Sequence, residues 1–202
     1  MNHLLFRVFL SLLTVCMPFV TAYNQEHPKV VIQTEMGNIT AEIYLEQAPV
    51  TAGNFLSLVE SGVYNSGATF YRVVRNDNQP NNDVKIEVIQ GGLSRAPREN
   101  RPSLTPIRHE TTQETRLRHL DGSLSMARSA PGSADSEIFI CIGAQPELDF
   151  GGKRNPDGMG FAVFGRVIEG MDVVRKIQLL EDNNQYLVEP VKILFIRKLQ
   201  EK

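Results

Sequence analysis

Two polar side chains, Arg72 and Gln90, stand in apolar segments where β-strands are expected. Arg72 lies in the run Phe-Tyr-Arg-Val-Val at 70–74, and Gln90 lies in the run Ile-Glu-Val-Ile-Gln-Gly-Gly at 86–92. A polar loop joins the two runs, so they are predicted to pair as a hairpin with a long connection and with Arg72 and Gln90 on one face. A guanidinium and a primary amide together offer several N–H donors and one acceptor, which favours gripping a peptide carbonyl over proton transfer.

Other kinds of chemistry find little support in the sequence. His109 and His119 have no cysteine or carboxylate cluster nearby, so we interpret them as solvated or capping side chains and expect no metal site. The Gly158-Met159-Gly160 segment precedes a predicted strand instead of opening a helix, which favours a turn over a nucleotide-binding loop. A serine hydrolase is not indicated, because no Gly-x-Ser-x-Gly motif is present and neither histidine has a nucleophile at a motif position. We therefore expect no cofactor.

Length and composition indicate one domain. The chain has 202 residues, of which 42% are hydrophobic, and this is enough for one buried core and short for two. The formal net charge is −2, and the charged residues are scattered along the chain. Neither a nucleic acid nor an anionic membrane is therefore expected as a partner.

The N-terminus has the pattern of a cleavable signal peptide. Arg7 precedes an almost wholly apolar run, residues 8–20, and small residues before Tyr23 favour cleavage after Ala22. An uncleaved anchor is an alternative, although the run is short for a membrane span and no second one follows. A lipoprotein modified at Cys16 is another, although the preceding valine is bulky for that signal. We expect a domain of residues 23–202 without a membrane span, located in the periplasm or secreted.

The remaining elements are predicted from alternation, helical spacing and turn residues. Strands are expected near 29–34, 39–45, 122–128, 136–142, 161–167 and 191–197, and helices at 49–62 and 171–180, with a long surface excursion at 93–118. Many short strands with turn signals between neighbours indicate a mainly β protein, a closed antiparallel β-barrel capped by two α-helices. If Ala22 is the last residue removed, Cys141 is the only cysteine left, so no internal disulfide is expected.

Five motifs occur together and in order along the predicted strands. They are Phe70-Tyr71-Arg72-Val73, Ile89-Gln90-Gly91-Gly92, Leu124-Ser125-Met126-Ala127, the segment Ser-Glu-Ile-Phe-Ile-Cys at 136–141, and Val-Phe-Gly-Arg-Val-Ile-Glu-Gly-Met at 163–171. Together they resemble a cyclophilin-type peptidyl-prolyl cis/trans isomerase over about 30–199, and the Met-Ala-Arg sequence at 126–128 looks most like bacterial periplasmic members. The resemblance implies an eight-stranded barrel with a groove on its outer face that binds a proline-containing peptide.

The resemblance also implies roles for individual residues. Arg72 matches the catalytic arginine, Gln90 the glutamine that binds the substrate backbone, Phe139 the floor of the proline pocket, and Leu148 a pocket wall. Further substrate-binding positions are Tyr71, Val88, Met126, Ala127, Arg128, Ser129 and Phe161. The chain departs from the family pattern in having Glu87 in the pocket region and Glu137 in place of a frequent Gln. It has no Trp, the residue associated with cyclosporin binding.

The chemistry of proline isomerisation fits these residue types. Rotation about an X-Pro bond faces a barrier of about 18–20 kcal/mol, and no proton has to move. We therefore expect an isomerase (rotamase) that acts, as a monomer, on proline-containing peptides and on unfolded exported proteins. Two alternatives stay open: a binding module or chaperone without turnover, which Glu87 would favour, and a component of an envelope complex that uses the 93–118 excursion as its contact surface.

Overall fold

The computed structural model describes residues 26–200. The predicted signal peptide, including Cys16 and the cleavage position after Ala22, lies outside the described residues. The strands in the described part are β1 (Lys29–Thr34), β2 (Gly37–Ile43), β3 (Thr69–Val74), β4 (Val88–Gly92), β5 (Ser123–Met126), β6 (Ile138–Cys141), β7 (Ala162–Glu169), β8 (Asp182–Asn183) and β9 (Tyr186–Lys198). The α-helices there are α1 (Pro49–Glu60), α2 (Thr112–Thr115) and α3 (Met171–Gln178).

Eight of these strands close into an antiparallel barrel. The order is β1-β2-β7-β5-β6-β4-β3-β9, and β9 pairs back with β1. Closure leaves none of the eight strands as an unpaired edge. The two-residue strand β8 adds only a short hairpin to β9. The predicted eight-stranded barrel is confirmed, and the two predicted helices correspond to α1 and α3, with α2 as a short third helix.

The barrel interior follows from the alternation seen in the sequence. In β2 the side chains of Ile39, Ala41 and Ile43 are fully buried, whereas the intervening positions are more exposed. Helix α1 covers one end of the barrel, and the ring centroids of its Phe55 and of Phe164 in β7 are 4.9 Å apart. Burial of such large apolar side chains provides most of the favourable free energy of folding.

The 93–118 excursion also provides the side chain that caps the N-terminus of α1. Its Glu110 is 1% exposed, and its carboxylate accepts hydrogen bonds from the backbone N–H groups of Val50 (3.1 Å) and Thr51 (2.7 Å) and from the Thr51 hydroxyl (2.7 Å). The N-cap residue of α1, Ala48, offers no side-chain acceptor. Glu110 therefore caps α1 from a distant part of the chain and complements the positive end of its dipole.

Candidate active site

A β-bulge in β3 brings two consecutive side chains to the outer face of the barrel. The register between β3 and β4 shifts between Phe70 and Arg72, so that Arg72 is paired with Gln90 and Tyr71 is the extra residue. Phe70 packs in the barrel core, whereas Tyr71 and Arg72 both lie over the outer face. The predicted pairing of Arg72 and Gln90 on one face is thus present.

Arg72 and Gln90 lie at the wall of a cavity of about 260 Å³. The cavity is lined by Arg72, Ile86, Val88, Gln90, Ala127, Arg128, Phe139, Leu148, Arg154, Asn155 and Phe161. Eight of the eleven positions that the sequence predicted are among these residues. An adjoining cavity of about 310 Å³ includes two more, Tyr71 and Ser129, and also Glu137.

Two glutamine side chains fix the guanidinium of Arg72. Its Nη1 donates to Gln90 Oε1 (2.8 Å), and its Nη2 donates to Gln185 Oε1. Gln185 belongs to the tight β8–β9 turn and has a left-handed φ of 73°. Its backbone N–H donates to the Asp182 carboxylate (2.8 Å), and its carbonyl accepts from the Val73 N–H (2.8 Å). The guanidinium has five N–H donors, so these two bonds leave three donors available.

A chain of hydrogen bonds sets the orientation of the Gln90 amide. Gln90 Nε2 donates to the Tyr71 hydroxyl (2.9 Å), which donates to Glu137 Oε2 (2.6 Å). The other carboxylate oxygen of Glu137 accepts from the backbone N–H groups of Leu93 (2.7 Å) and Ser94 (2.9 Å). Burial, with Glu137 nearby, raises the pKa of Tyr71, so its hydroxyl keeps its proton. Gln90 must therefore point its carbonyl at Arg72.

Gly92 leaves the space that the Glu137 end of this hydrogen-bond chain occupies. Its φ is 149°, and a Cβ built there would collide with the Glu137 carboxylate. A larger residue at 92 would push Glu137 away from Tyr71, and the orientation of Gln90 would no longer be fixed.

The floor of the cavity is a second, smaller apolar cluster on the outside of the barrel. It consists of Val74, Ile86, Val88, Phe139, Cys141 and Leu148, with Ala127 and Phe161 packed against it. Their neighbours Val73, Ile89 and Ile140 point into the barrel core, as the period of two along a strand requires. The Phe139 ring meets Phe161 edge to face at 5.2 Å. The cluster offers an apolar surface on which a proline ring can rest.

His119 lies beneath this floor and is neither solvated nor a simple cap, so that prediction was wrong. Its ring stacks on Phe139 at 5.8 Å with an interplanar angle of 9°. Its Nδ1 is 2.7 Å from Asp149 Oδ1, and its Nε2 is 3.0 Å from Ser125 Oγ. Burial lowers the pKa of His119, so the ring is neutral and the Asp149 bond fixes its tautomer.

Ser125, His119 and Asp149 are hydrogen-bonded in the same sequence of groups as the catalytic triad of a serine hydrolase. The amino-acid sequence did not suggest this arrangement. Ser125 is 0% exposed and His119 is 1% exposed, so no substrate carbonyl can reach the hydroxyl. Instead, Asp149 and Ser125 hold the His119 ring, and His119 in turn stacks on Phe139. Their arrangement supports the floor of the cavity and does not supply a nucleophile.

The Arg128 side chain forms hydrogen bonds and an ion pair with other residues of the protein. Its guanidinium makes two bonds to the Asp157 carboxylate (2.8 and 2.9 Å) and donates to the carbonyl of Gly160. It also stacks over the Phe161 ring at 5.2 Å. The side chain is 1% exposed, so it ties the glycine-rich loop 151–160 to the end of β5. His109 reaches the same loop, since its Nε2 is 3.1 Å from the Met159 carbonyl.

Two sequence-based placements need correction. Met126 is 1% exposed and packs in the barrel core, so it supports β5 and does not line the cavity. Glu87 was expected in the pocket, but the cavity is lined by Ile86 and Val88 on either side of it. Side chains alternate along a strand, so a residue between two cavity-facing positions points elsewhere.

Sequence reasoning missed four residues of the site. Ile86 could have been found, because it shares the strand parity of Val88 and Gln90. Arg154 and Asn155 belong to an irregular loop, and Gln185 lies 113 residues from Arg72. None of these three carries a local sequence signal.

The described part of the chain contains no group of three or more His, Cys, Asp or Glu side chains placed to hold a metal ion. Its helices are all too short or too polar to cross a membrane.

The fold and the cavity together define a closed β-barrel protein with a partly apolar cavity on its outer face, beside an arginine held by two amides. Comparison with known families gives a match over residues 29–198 to the cyclophilin-type peptidyl-prolyl cis-trans isomerases. The chain belongs to this family and is a peptidyl-prolyl cis-trans isomerase.

Curated relatives carry the same name. A peptidyl-prolyl cis-trans isomerase of Acinetobacter baylyi is 33% identical over 184 residues, covering 88% of this chain and 89% of the relative. Peptidyl-prolyl cis-trans isomerase A of Dickeya dadantii is 34% identical over 173 residues, covering 85% and 81%. The crystal structure of a Cryptosporidium parvum cyclophilin is similar in fold, with a TM-score of 0.67 at 21% identity, covering 87% of this chain and 99% of that one.

Proposed function

We propose that the cavity beside Arg72 is the place where the X-Pro bond is twisted. The proline ring rests on Phe139, between Leu148 and Phe161, and Gln90 bonds to a flanking peptide group. Arg72 then donates to the imide nitrogen. The proposal rests mainly on one observation. The side-chain amide oxygens of Gln90 and Gln185 both accept hydrogen bonds from Arg72, which lies at the edge of the apolar cluster that forms the cavity floor.

The twisted state needs a donor because its nitrogen regains a lone pair. In the planar amide that pair is delocalised, so an N–H donor aimed at it acts mainly in the transition state. A donor that is already oriented does not have to reorganise during rotation. Gln90 and Gln185 provide this orientation, and both are neutral, so they do not cancel the charge of the guanidinium.

The proposed donor does not depend on pH in the physiological range. Burial lowers the pKa of Arg72 from its usual value, but an arginine keeps its proton in proteins. Tyr71, the nearest phenol in the hydrogen-bond chain, also keeps its proton because its pKa is raised. The Arg72–Gln90 donor set is therefore constant across neutral pH.

The location of the site can be tested by titrating a labelled sample with an Ala-Ala-Pro-Ala peptide and following NMR shifts. The Arg72 Nε and Gln90 Nε2 signals and the Phe139 ring signals should move together. Matched signals outside the cavity, such as the side-chain amide of Gln113, should not move. Shifts centred elsewhere on the barrel, with these three unchanged, would contradict the assignment.

The substrates are proposed to be unfolded exported proteins, with the enzyme in the periplasm or secreted as a monomer. The support is the signal-peptide pattern in residues 1–22 and the expectation that extracytoplasmic folding needs proline isomerisation. Expression in a bacterium followed by fractionation and N-terminal sequencing should give a periplasmic chain that starts at Tyr23. A cytoplasmic chain that retains Met1, or a membrane-bound chain modified at Cys16, would overturn this part.

A binding module without turnover gains no support from the cavity. The feature that favoured it was an acidic Glu87 in the proline pocket, and the pocket is lined by Ile86 and Val88 instead. The excursion 93–118, the surface suggested for an envelope complex, uses its buried Glu110 to cap α1.

A further inference from the structure

The cavity contains more positive charge than isomerisation alone requires. Three arginines line it, Arg72, Arg128 and Arg154, and no carboxylate of the described residues does. Arg128 is neutralised by its two bonds to Asp157. Within residues 26–200, neither Arg72 nor Arg154 makes an ion pair, since the acceptors of both are amide or backbone oxygens.

Arg154 is held in place from the opposite loop. Its Nη1 donates to Gln79 Oε1 (3.0 Å) and to the Val84 carbonyl (2.6 Å), both in the β3–β4 connection. Its backbone N–H donates to the Glu147 carbonyl (3.1 Å). The guanidinium is half-buried, and burial, followed by the charge of Arg72, lowers its pKa. Two like charges thus line one partly desolvated cavity, and no carboxylate in the described part of the chain pairs with either of them.

We infer that this cavity selects peptides that carry a carboxylate on a residue next to the proline, with Arg154 as the specificity-determining residue. The inference rests on the proposed site. An acidic side chain entering between the two guanidinium groups would relieve their repulsion and gain charge-assisted hydrogen bonds. A neutral side chain would leave both cations uncompensated. The chain as a whole has a net charge of −2, so the local positive charge is not a reflection of its composition.

The test compares Asp with its neutral isostere Asn on either side of proline in an Ala-x-Pro-x-Ala peptide. Turnover of each peptide is measured by NMR exchange spectroscopy, and the readout is the ratio of kcat/KM for Asp over Asn. For at least one flanking position we expect a ratio of about five in the wild-type enzyme, falling in 0.5 M salt because screening is stronger. The change should be mainly in KM.

Three variants separate charge from loop structure. Arg154→Gln should reduce the ratio to below about two, whereas Arg154→Lys, which keeps the charge, should retain most of it. Arg98→Gln removes an exposed arginine outside both cavities and should leave the ratio and the rates unchanged. Because the readout is a ratio, a general loss of rate in a variant does not affect it. If turnover is too slow, the ratio of peptide Kd values from NMR titration replaces it.

The inference is overturned by equal rates on Asp and Asn peptides in the wild type, or by a ratio that Arg154→Gln leaves intact. It is also overturned if Arg154→Lys loses the ratio as fully as Arg154→Gln, since Arg154 would then act only as a link between loops. Failure of the site itself would look different: Arg72→Ala would retain full activity on the Asn peptides.

Discussion

Replacing Gln185 with Met removes one of the two acceptors that hold Arg72 but keeps the length of the side chain. Gln185 has a left-handed φ of 73°, and Met carries the same Cβ, so the backbone strain is unchanged. The backbone bonds of residue 185 to Asp182 and Val73 also remain. The lost interactions are the bond from Arg72 and a 3.2 Å bond to the Asn78 carbonyl.

The expected loss follows from the type of hydrogen bond and its exposure. A bond to a charged group contributes about 1.5–3 kcal/mol net when buried. Arg72 is only partly buried, so water can replace the acceptor and a value of about 1 kcal/mol is appropriate. Since 1.36 kcal/mol is a factor of ten, kcat/KM should fall about fivefold. The loss should be mainly in kcat, because the misoriented donor acts on the twisted state.

The assay is the isomerisation rate of an Ala-Ala-Pro-Ala peptide, with thermal unfolding as the check on stability. Gln113→Met, at an exposed glutamine of α2 outside the cavity, is the control and should match the wild type. A normal kcat in Gln185→Met with an unchanged thermal midpoint would refute the idea that Gln185 positions Arg72. A raised KM with normal kcat would refute it as well, because it would indicate a contact made equally in the ground state.

Three further outcomes are expected. Phe139→Ala should cost about 3–5 kcal/mol of stability and also raise KM, since the ring is 4% exposed and forms the cavity floor; full activity and stability would place the pocket elsewhere. The stability contributed by a neutral buried His119 should be fully present above about pH 6.5, the unfolded histidine pKa, and should be lost below it, because burial lowers the folded pKa of His119. Burial also lowers the pKa of His109, so His119→Gln should make the fall in thermal midpoint between about pH 7.5 and 5.5 shallower without removing it; an equal decline in that variant would refute this. Cyclosporin A should bind at least about tenfold more weakly than to sensitive family members, because the chain has no Trp to donate an indole N–H; inhibition at concentrations near that of the enzyme would contradict this.

Much of the barrel could be predicted because its strands obey a period of two. Ile39, Ala41 and Ile43 alternate with polar residues, and Pro49 and Gly62 mark the start of α1 and the turn after it. Strands buried on both faces give no such signal. All four residues of β5 are buried, so the sequence could not show that Met126 faces the core.

The parts of the site that were missed depend on contacts between distant segments. Gln185 meets Arg72, and Arg154 meets Gln79, only after the barrel has closed and the loops have packed. The bulge at Tyr71 was also hidden, because a bulge is a property of strand pairing and not of composition. Glu110 is a similar case, since its capping role joins the excursion to a helix 59 residues away.

The most direct test of the account is the kcat/KM of Arg72→Ala and Arg72→Lys on a proline peptide, measured beside their thermal midpoints. The account predicts a loss of most activity in Arg72→Ala at nearly unchanged stability, because a partly exposed arginine contributes little to folding. Arg72→Lys should also be poor, since an ammonium group cannot bond Gln90 and Gln185 and still face the imide nitrogen. Near wild-type turnover in Arg72→Ala with an unchanged thermal midpoint would contradict the account.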